Sequence, residues 1–140
     1  MEKEFLISVL TKQEIEGEKE ELEIMTKATL KGEENDYTIT YREREEDGSE
    51  SETVLRVINS DHIIVNREGV ISTHLELQKG VRNLSHHVTP YGAFSMGVAC
   101  VSIESDMSEN GGCLRFRYMT DIEMSPLGEI EFDITLNPIG

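Results

Sequence analysis

The segment from Phe94 to Leu136 constrains the fold most strongly, because its apolar residues recur at every second position. From Leu114 to Met124, and again from Ile130 to Leu136, the even-numbered residues are mainly apolar and the odd-numbered ones mainly polar. A period of two is the pattern of a strand with one buried and one solvated face. We therefore predict three antiparallel strands joined by two tight turns, with their apolar faces on the same side.

The first turn is predicted at Asn110-Gly111, since both residues tolerate the positive φ that a two-residue type I′ turn requires. With this turn, Glu109 faces Gly112, and the other pairs follow from it. Opposite charges then meet on the outer face and apolar side chains on the inner one. The predicted outer pairs are Glu104–Arg117 and Asp106–Arg115, and the inner pairs are Met107–Leu114, Ser105–Phe116 and Ile103–Tyr118.

The second turn is predicted at Pro126-Leu127-Gly128, a three-residue loop that keeps both apolar sets on one face. Phe132 then lies opposite Ile122 inside the sheet. Outside, this register predicts two like-charge pairs, Glu131–Glu123 and Asp133–Asp121. Because like charges directly opposite are unfavourable, the acidic patch is either a solvated surface, which we favour, or a weak cation site.

Short alternating segments also occupy the chain before residue 94. Turn signals such as Asp47-Gly48 and Asn59-Ser60-Asp61 separate them, and no segment has a convincing helical period. The charged segment Gln13 to Glu21 is predicted as a solvated hairpin loop, and Lys79 to Gly92 as a functional loop. A change of apolar phase predicts a β-bulge near Ala99-Cys100. We therefore predict an all-β protein with one domain, residues 1–140: a meander of about eight to ten strands that forms a sandwich or a closed or nearly closed antiparallel barrel.

The charge balance limits the possible partners. The chain has 28 acidic and 13 basic residues and a formal net charge of −15. Such a surface repels nucleic-acid phosphates and anionic membranes, so we expect no nucleic acid and no membrane partner. No apolar run approaches about 20 residues, and the start lacks the regions of a signal peptide, so we expect a cytoplasmic protein. Cys100 and Cys113 lie far apart in the predicted ladder and are predicted to be free thiols.

Several short motifs in the second half of the chain resemble the YwiB-like family. They are Thr89-Pro90-Tyr91-Gly92, Phe94, Met96-Gly97-Val98, Gly111-Gly112 and the strand around Tyr118. This is a bacterial family of unknown function whose fold is similar to the calycins, the lipocalin-like β-barrels. The resemblance implies a closed antiparallel barrel over nearly the whole chain. It implies no catalytic or binding residue.

A calycin-type barrel suggests a small, mainly apolar ligand, since about eight strands enclose either a filled interior or room for one small molecule. We expect the ligand at the open end, with the Lys79 to Gly92 loop near the mouth. The candidate ligand-binding residues are Tyr37, Tyr41, His87, Tyr91, Phe94, Met96, Phe116, Tyr118 and Phe132. The competing interpretation is that these side chains simply pack a core.

Motifs for phosphate loops, nucleophile elbows, zinc helices and paired C-x-x-C sites are absent from the sequence. We therefore favour a non-enzymatic protein with no catalytic residue, no metal and no cofactor. A site built from His62, His74 and the pair His86-His87 is conceivable, but adjacent histidines on one strand point to opposite faces. Two alternatives stay open: a homodimeric protein-interaction module with a filled barrel, and a hydrolase or isomerase that uses a histidine at the barrel mouth.

Overall fold

Ten strands make up the computed structural model, which describes residues 2–45 and 47–139. The strands are β1 (Glu2–Ile15), β2 (Glu18–Glu33), β3 (Asp36–Arg44), β4 (Glu50–Ile58), β5 (His62–Glu68), β6 (Ser72–Gln78), β7 (Arg82–Thr89), β8 (Gly92–Ser108), β9 (Gly111–Ile122) and β10 (Ser125–Pro138). In this part of the chain, no helix has the length and apolar character needed to cross a membrane. Three residues lie outside the description: Met1 and Gly140, which end the predicted domain, and Glu46, beside the predicted Asp47-Gly48 reversal.

The sheet closes on itself to form a barrel. Each strand pairs antiparallel with the next strand in the chain, and β1 pairs with β10. The closing ladder runs from Phe5 opposite Pro138 to Ile15 opposite Gly128. A closed sheet offers no edge strand for pairing with another chain. The prediction of an all-β, closed antiparallel barrel is confirmed, with a strand count at the upper end of the predicted range.

The interior is filled from alternate positions of every strand, as the period-two pattern predicts. Phe5 and Ile7 of β1 and Ile39 of β3 are at most 2 % exposed, and so are Leu114 and Phe116 of β9. Burying one side chain of this size contributes about 1.5–3 kcal/mol. The apolar lining of the barrel is therefore the main source of its stability.

The turn between β8 and β9 falls at Glu109-Asn110, so the predicted turn at Asn110-Gly111 is wrong by one position. Ser108 pairs with Gly111, and Glu104 faces Arg115 rather than Arg117. The remaining predicted pairs are displaced by the same two residues: Asp106 faces Cys113, Met107 faces Gly112, Ser105 faces Leu114, and Ile103 faces Phe116. Because the displacement is even, the inner residues remain inside.

Local turn chemistry explains this register. The Ser108 hydroxyl accepts a hydrogen bond from the Asn110 N–H at 3.2 Å, which fixes the start of the turn. Gly111 and Gly112 then have positive φ angles of 98° and 146°. A Cβ atom at Gly112 would overlap the carbonyl oxygen of Asp106. Gly112 therefore lets β9 approach β8 more closely than other residues allow, and Gly111 does the same toward the Leu136 carbonyl oxygen of β10.

The turn between β9 and β10 is at Glu123-Met124, so the predicted loop at Pro126-Leu127-Gly128 is wrong. Glu123 and Met124 have positive φ angles of 49° and 70°, and the Met124 N–H donates to the Asp121 carboxylate at 3.1 Å. A bulge shifts the register between Pro126 and Gly128. Phe132 consequently faces Phe116, not Ile122, and the two predicted acidic pairs are replaced by Glu131–Arg117 and Asp133–Arg115. Opposite charges thus replace like charges across this ladder.

Two segments predicted as loops are strands. Gln13 to Glu21 forms the end of the β1–β2 hairpin, which reverses at Glu16-Gly17 with positive φ angles of 51° and 85°. Cross-strand contacts extend this hairpin, since the Gln13 amide donates to Glu20 at 3.1 Å. Lys79 to Gly92 contains β7, which pairs with the long strand β8 from Arg82 opposite Ala99 to Thr89 opposite Gly92. In both cases a neighbouring ladder supplies backbone partners that the sequence pattern does not reveal.

The predicted bulge in β8 is present one position later than expected. The register shifts between Cys100 and Ser102, and the extra residue, Val101, is 41 % exposed although its apolar character suggested an inward position. The predicted reversal at Asp47-Gly48 is also present, with the Gly48 N–H donating to the Glu45 carbonyl at 3.0 Å. Cys100 is buried and Cys113 is exposed, and both are free thiols as predicted.

Candidate functional site

A cavity of about 490 Å³ lies at one end of the barrel. This end, which we call the cavity end, carries the β2–β3 and β8–β9 turns and the start of β1. The residues that line the cavity are Lys3, Leu30, Gly32, Glu33, Glu34, Tyr37, Met107, Ser108 and Glu109. They come from four strands, β1, β2, β3 and β8, and from the two turns, so the closure of the barrel brings them together.

The cavity has an apolar floor and a charged rim. Leu30, Tyr37 and Met107 are at most 8 % exposed and face inward, whereas the rim residues Lys3, Glu33, Glu34 and Glu109 are exposed. Three carboxylates and one ammonium group surround the opening. The arrangement can hold an apolar molecule by its body while leaving a polar or cationic group at the rim.

Tyr37 is held in place by a contact across the interior. Its hydroxyl lies 2.6 Å from the Ser105 hydroxyl on β8, and burial raises the pKa of the phenol above its usual range. The ring therefore presents a neutral, hydrogen-bonded phenol beside the cavity. Gly32 supports the same corner: a Cβ atom there would overlap the Asp36 carbonyl oxygen, so only glycine permits this tight β2–β3 connection.

Three of the predicted ligand-binding aromatics pack on one another in the interior. The ring centroids of Phe116 and Phe132 are 5.0 Å apart, and the Tyr118 centroid is 6.5 Å from that of Phe116. Burial strongly raises the pKa of Tyr118. Phe116 and Tyr118 belong to the buried core of the barrel, and Phe132 packs against it.

The opposite end of the barrel, which we call the histidine end, holds His87 between hydrogen-bonding and aromatic neighbours. Its Nε2 atom lies 2.9 Å from the Ser85 hydroxyl, and its Nδ1 atom lies 3.3 Å from the Thr73 hydroxyl. The His87 and Phe94 rings stack with centroids 4.9 Å apart. Burial, and then repulsion from His86, lower the pKa of His87.

The Ser85–His87 contact does not have the arrangement of a nucleophile and its base. Ser85 is 0 % exposed, and its hydroxyl donates to the Met96 carbonyl oxygen at 3.2 Å. The serine oxygen is then left as an acceptor for the His87 Nε2–H, so the histidine does not act as a base toward it. This geometry is that of a hydrogen-bonded histidine in the barrel wall.

The remaining predicted candidates are dispersed. Met96 is half-buried on β8, Phe94 is 49 % exposed, and Tyr91 is 100 % exposed at the tip of the β7–β8 turn. Tyr41 is buried at the histidine end, where burial raises its pKa despite its hydrogen bond to Thr53. Within the described residues, only Tyr37 of the nine predicted candidates lines the cavity.

Sequence reasoning missed a polar cluster at the histidine end. The Arg67 guanidinium lies 3.0 Å from the Glu43 carboxylate and 2.5 Å from the Glu45 carboxylate, and Ser51 donates to Glu45 at 3.0 Å. Glu43, Ser51 and Arg67 occupy inward positions of β3, β4 and β5, and Glu45 directly follows β3. These residues have odd numbers, as do the buried residues Tyr41 of β3 and Thr53 of β4. This shared alternation was the sequence signal that could have placed the cluster on the inner face.

Among the described residues, no cluster of three or more histidine, cysteine, aspartate or glutamate side chains could hold a metal ion.

Comparison with known proteins shows the family of this chain. No protein with a curated description matches the sequence.

The solved structure of the YwiB protein from Bacillus subtilis is similar to this chain. The two share 19 % sequence identity over 97 % of this chain and 93 % of that one, with a TM-score of 0.76. At this identity the likeness supports the barrel fold alone. The model of a family described as a domain of unknown function, DUF1934, matches residues 7–134. The chain therefore belongs to the DUF1934 family, a YwiB-like family of β-barrel proteins of unknown function.

Proposed function

We propose that this barrel binds one small, mainly apolar molecule in the cavity at the cavity end. The observation that carries the proposal is the cavity of about 490 Å³ over the buried floor of Leu30, Tyr37 and Met107. Sites for small molecules in proteins commonly have volumes of about 300–1,000 Å³ and mainly apolar walls. Both the size and the lining support a ligand of modest size.

The polar groups at the cavity favour binding over catalysis. The Ser108 hydroxyl already serves its own turn, accepting from the Asn110 N–H at 3.2 Å and donating to the Gly111 carbonyl oxygen at 3.3 Å. The Tyr37 hydroxyl is paired with Ser105. We therefore propose a carrier or sensor of a small molecule in the cytoplasm, not an enzyme.

Native mass spectrometry of protein purified from its own cells is the first test, because it reports a retained molecule, a metal and the number of subunits together. A retained organic molecule of low mass supports the proposal. A second measurement follows binding of Nile red, a neutral apolar dye, by its fluorescence. Saturable binding of one dye per chain is expected.

Substitution of Met107 by Trp tests whether the dye occupies the cavity. The larger indole fills part of the space above Leu30 and Tyr37, so we expect the dye affinity of M107W to fall at least about tenfold. M25W is the matched control, because Met25 is 62 % exposed on the outer face of β2. The chain has no tryptophan, so each new indole also reports its own environment by fluorescence. Equal dye affinity in M107W and M25W, with both variants folded, would contradict the proposal.

A homodimeric assembly module is the second candidate, favoured by apolar residues on the outer surface. Leu84 and Val88 of β7 are 53 % and 55 % exposed, and Val101 of β8 and Met119 of β9 are 41 % and 42 % exposed. Exposed apolar patches of this kind often mark protein contacts. The same mass spectra decide this candidate: a dimer that Leu84→Lys converts to a monomer supports it, and a wild-type monomer excludes it.

A further inference from the structure

We propose that His74 and His86 form a binding site for one divalent transition-metal ion on the outer face of the barrel. The two histidines lie on the neighbouring strands β6 and β7, and their Cα atoms are direct partners in the antiparallel ladder. Both side chains are exposed. Directly opposite residues on one face have Cβ atoms about 4.5–5.5 Å apart, which allows two imidazoles to reach one ion.

Each imidazole is oriented by a hydrogen bond at Nδ1. His74 Nδ1 lies 2.6 Å from the Asn66 side-chain oxygen on β5. Because a carboxamide oxygen can only accept, His74 carries its proton on Nδ1 and keeps a lone pair on Nε2. His86 Nδ1 lies 2.9 Å from the Ser95 hydroxyl on β8. Histidines that bind metals typically engage their second ring nitrogen in this way.

The other two histidines of the chain are placed differently. His87 is turned to the interior and stacks on Phe94. His62 is the partner of Gln78 in the ladder and lies 3.5 Å from the Glu76 carboxylate. The ladder places His74 opposite Asn66, so the proposed site contains only His74 and His86 of the four histidines considered from the sequence.

The chemistry of the pair selects the class of ion. Imidazole nitrogens suit Cu²⁺, Ni²⁺ and Zn²⁺, and Cu²⁺ binds such ligands most strongly. Two protein ligands leave further coordination positions for water. The net charge of −15 raises the local concentration of cations.

Titration of the intact protein with Cu²⁺, followed by calorimetry and by electron paramagnetic resonance, tests the proposal. We expect one ion per chain, with nitrogen hyperfine coupling from two imidazoles. H74Q and H86Q should each weaken binding at least about tenfold, and N66A, which removes the orienting acceptor, about tenfold as well. H62Q is the matched control and should bind as the wild type does.

Three results would overturn the proposal. The first is that the wild-type protein binds no Cu²⁺ at micromolar concentration. The second is that binding and hyperfine coupling survive in the H74Q/H86Q double variant. The third is that H62Q weakens binding as much as H74Q does, which would place the ion elsewhere. Unchanged circular dichroism of the variants shows that their loss of binding is not a loss of fold.

Discussion

The contact between Phe116 and Phe132 offers a direct test of the β9–β10 register. The rings face each other across the ladder with centroids 5.0 Å apart and planes inclined by 20°. Phe116 is 1 % exposed and Phe132 is partly buried against the core. Replacing either residue by leucine keeps an apolar side chain but removes the ring contact. Each single substitution should cost roughly 1–2 kcal/mol in the free energy of unfolding.

A double-mutant cycle isolates the contribution of the pair. Aromatic pairs contribute about 0.5–1.5 kcal/mol beyond the area they bury, so F116L and F132L should be non-additive by that amount. The free energies of unfolding are measured by denaturation in urea at constant pH. In the register predicted from the sequence, Phe132 would instead contact Ile122. The matched cycle of F132L with I122A should therefore be additive within about 0.5 kcal/mol. Additivity in the first cycle and coupling in the second would refute the observed register.

Three further outcomes are expected. Burial lowers the pKa of His87 below the ordinary value of about 6.5 in the folded protein. The unfolded chain therefore binds a proton first as the pH falls, and the free energy of unfolding decreases below about pH 6.5. The decrease between pH 7.5 and 5.5 should be smaller in H87Q, and an equal decrease in that variant would contradict the assignment. Gly112→Ala should lower the free energy of unfolding by more than about 2 kcal/mol, because an alanine there would have a positive φ and its Cβ would overlap the Asp106 carbonyl oxygen. Gly17→Ala, which has a positive φ but open space around it, should lower the free energy of unfolding by only about 1 kcal/mol in the same urea denaturation. A thiol reagent should label Cys113 quickly and Cys100 slowly in the native protein, because Cys100 is buried and burial raises the pKa of its thiol. The fast phase of labelling should disappear in C113S, and a fast phase that persists in this variant would show that Cys100 is accessible.

The faces of the strands were predictable from the sequence, but the registers were not. Both turn errors displaced the pairing by an even number of residues, so Phe116, Tyr118 and Ile134 are buried as the alternation indicated. Within a regular stretch of strand, the face that a residue occupies depends on whether its position is odd or even. The exceptions include Val101 in the β8 bulge and Ile122 at the end of β9, which are 41 % and 48 % exposed. Which residues face each other depends on the turn, and turns are decided by local hydrogen bonds such as that between Ser108 and Asn110.

The cavity was not predictable from the same pattern. Leu30 and Met107 are apolar residues at inward positions, like many others that are fully packed. What distinguishes them is their place near the ends of β2 and β8, beside Tyr37 of β3, whose hydroxyl is paired with Ser105 of β8. The curvature of the closed sheet determines whether side chains meet across that end, and curvature depends on bulges and glycines that act together.

Together, the two arginines of β9 face acidic residues on both neighbouring strands, β8 and β10. Considered with β8 alone, Arg115 and Arg117 fit the predicted register, since each would face an acidic residue. In the structure, Arg115 lies between Glu104 and Asp133, and its guanidinium is 3.1 Å from the Asp133 carboxylate. Arg117 faces Glu131 and lies 3.1 Å from the Glu129 carboxylate. A central strand must match both neighbours at once, and because all three inner faces are buried, only even displacements compete. Aligning Glu131 with Arg117 and Asp133 with Arg115 gives the observed β9–β10 pairing and removes the like-charge pairs. The β8–β9 turn is different, since there the glycines and Ser108 outweigh one exposed ion pair, whose contribution is small.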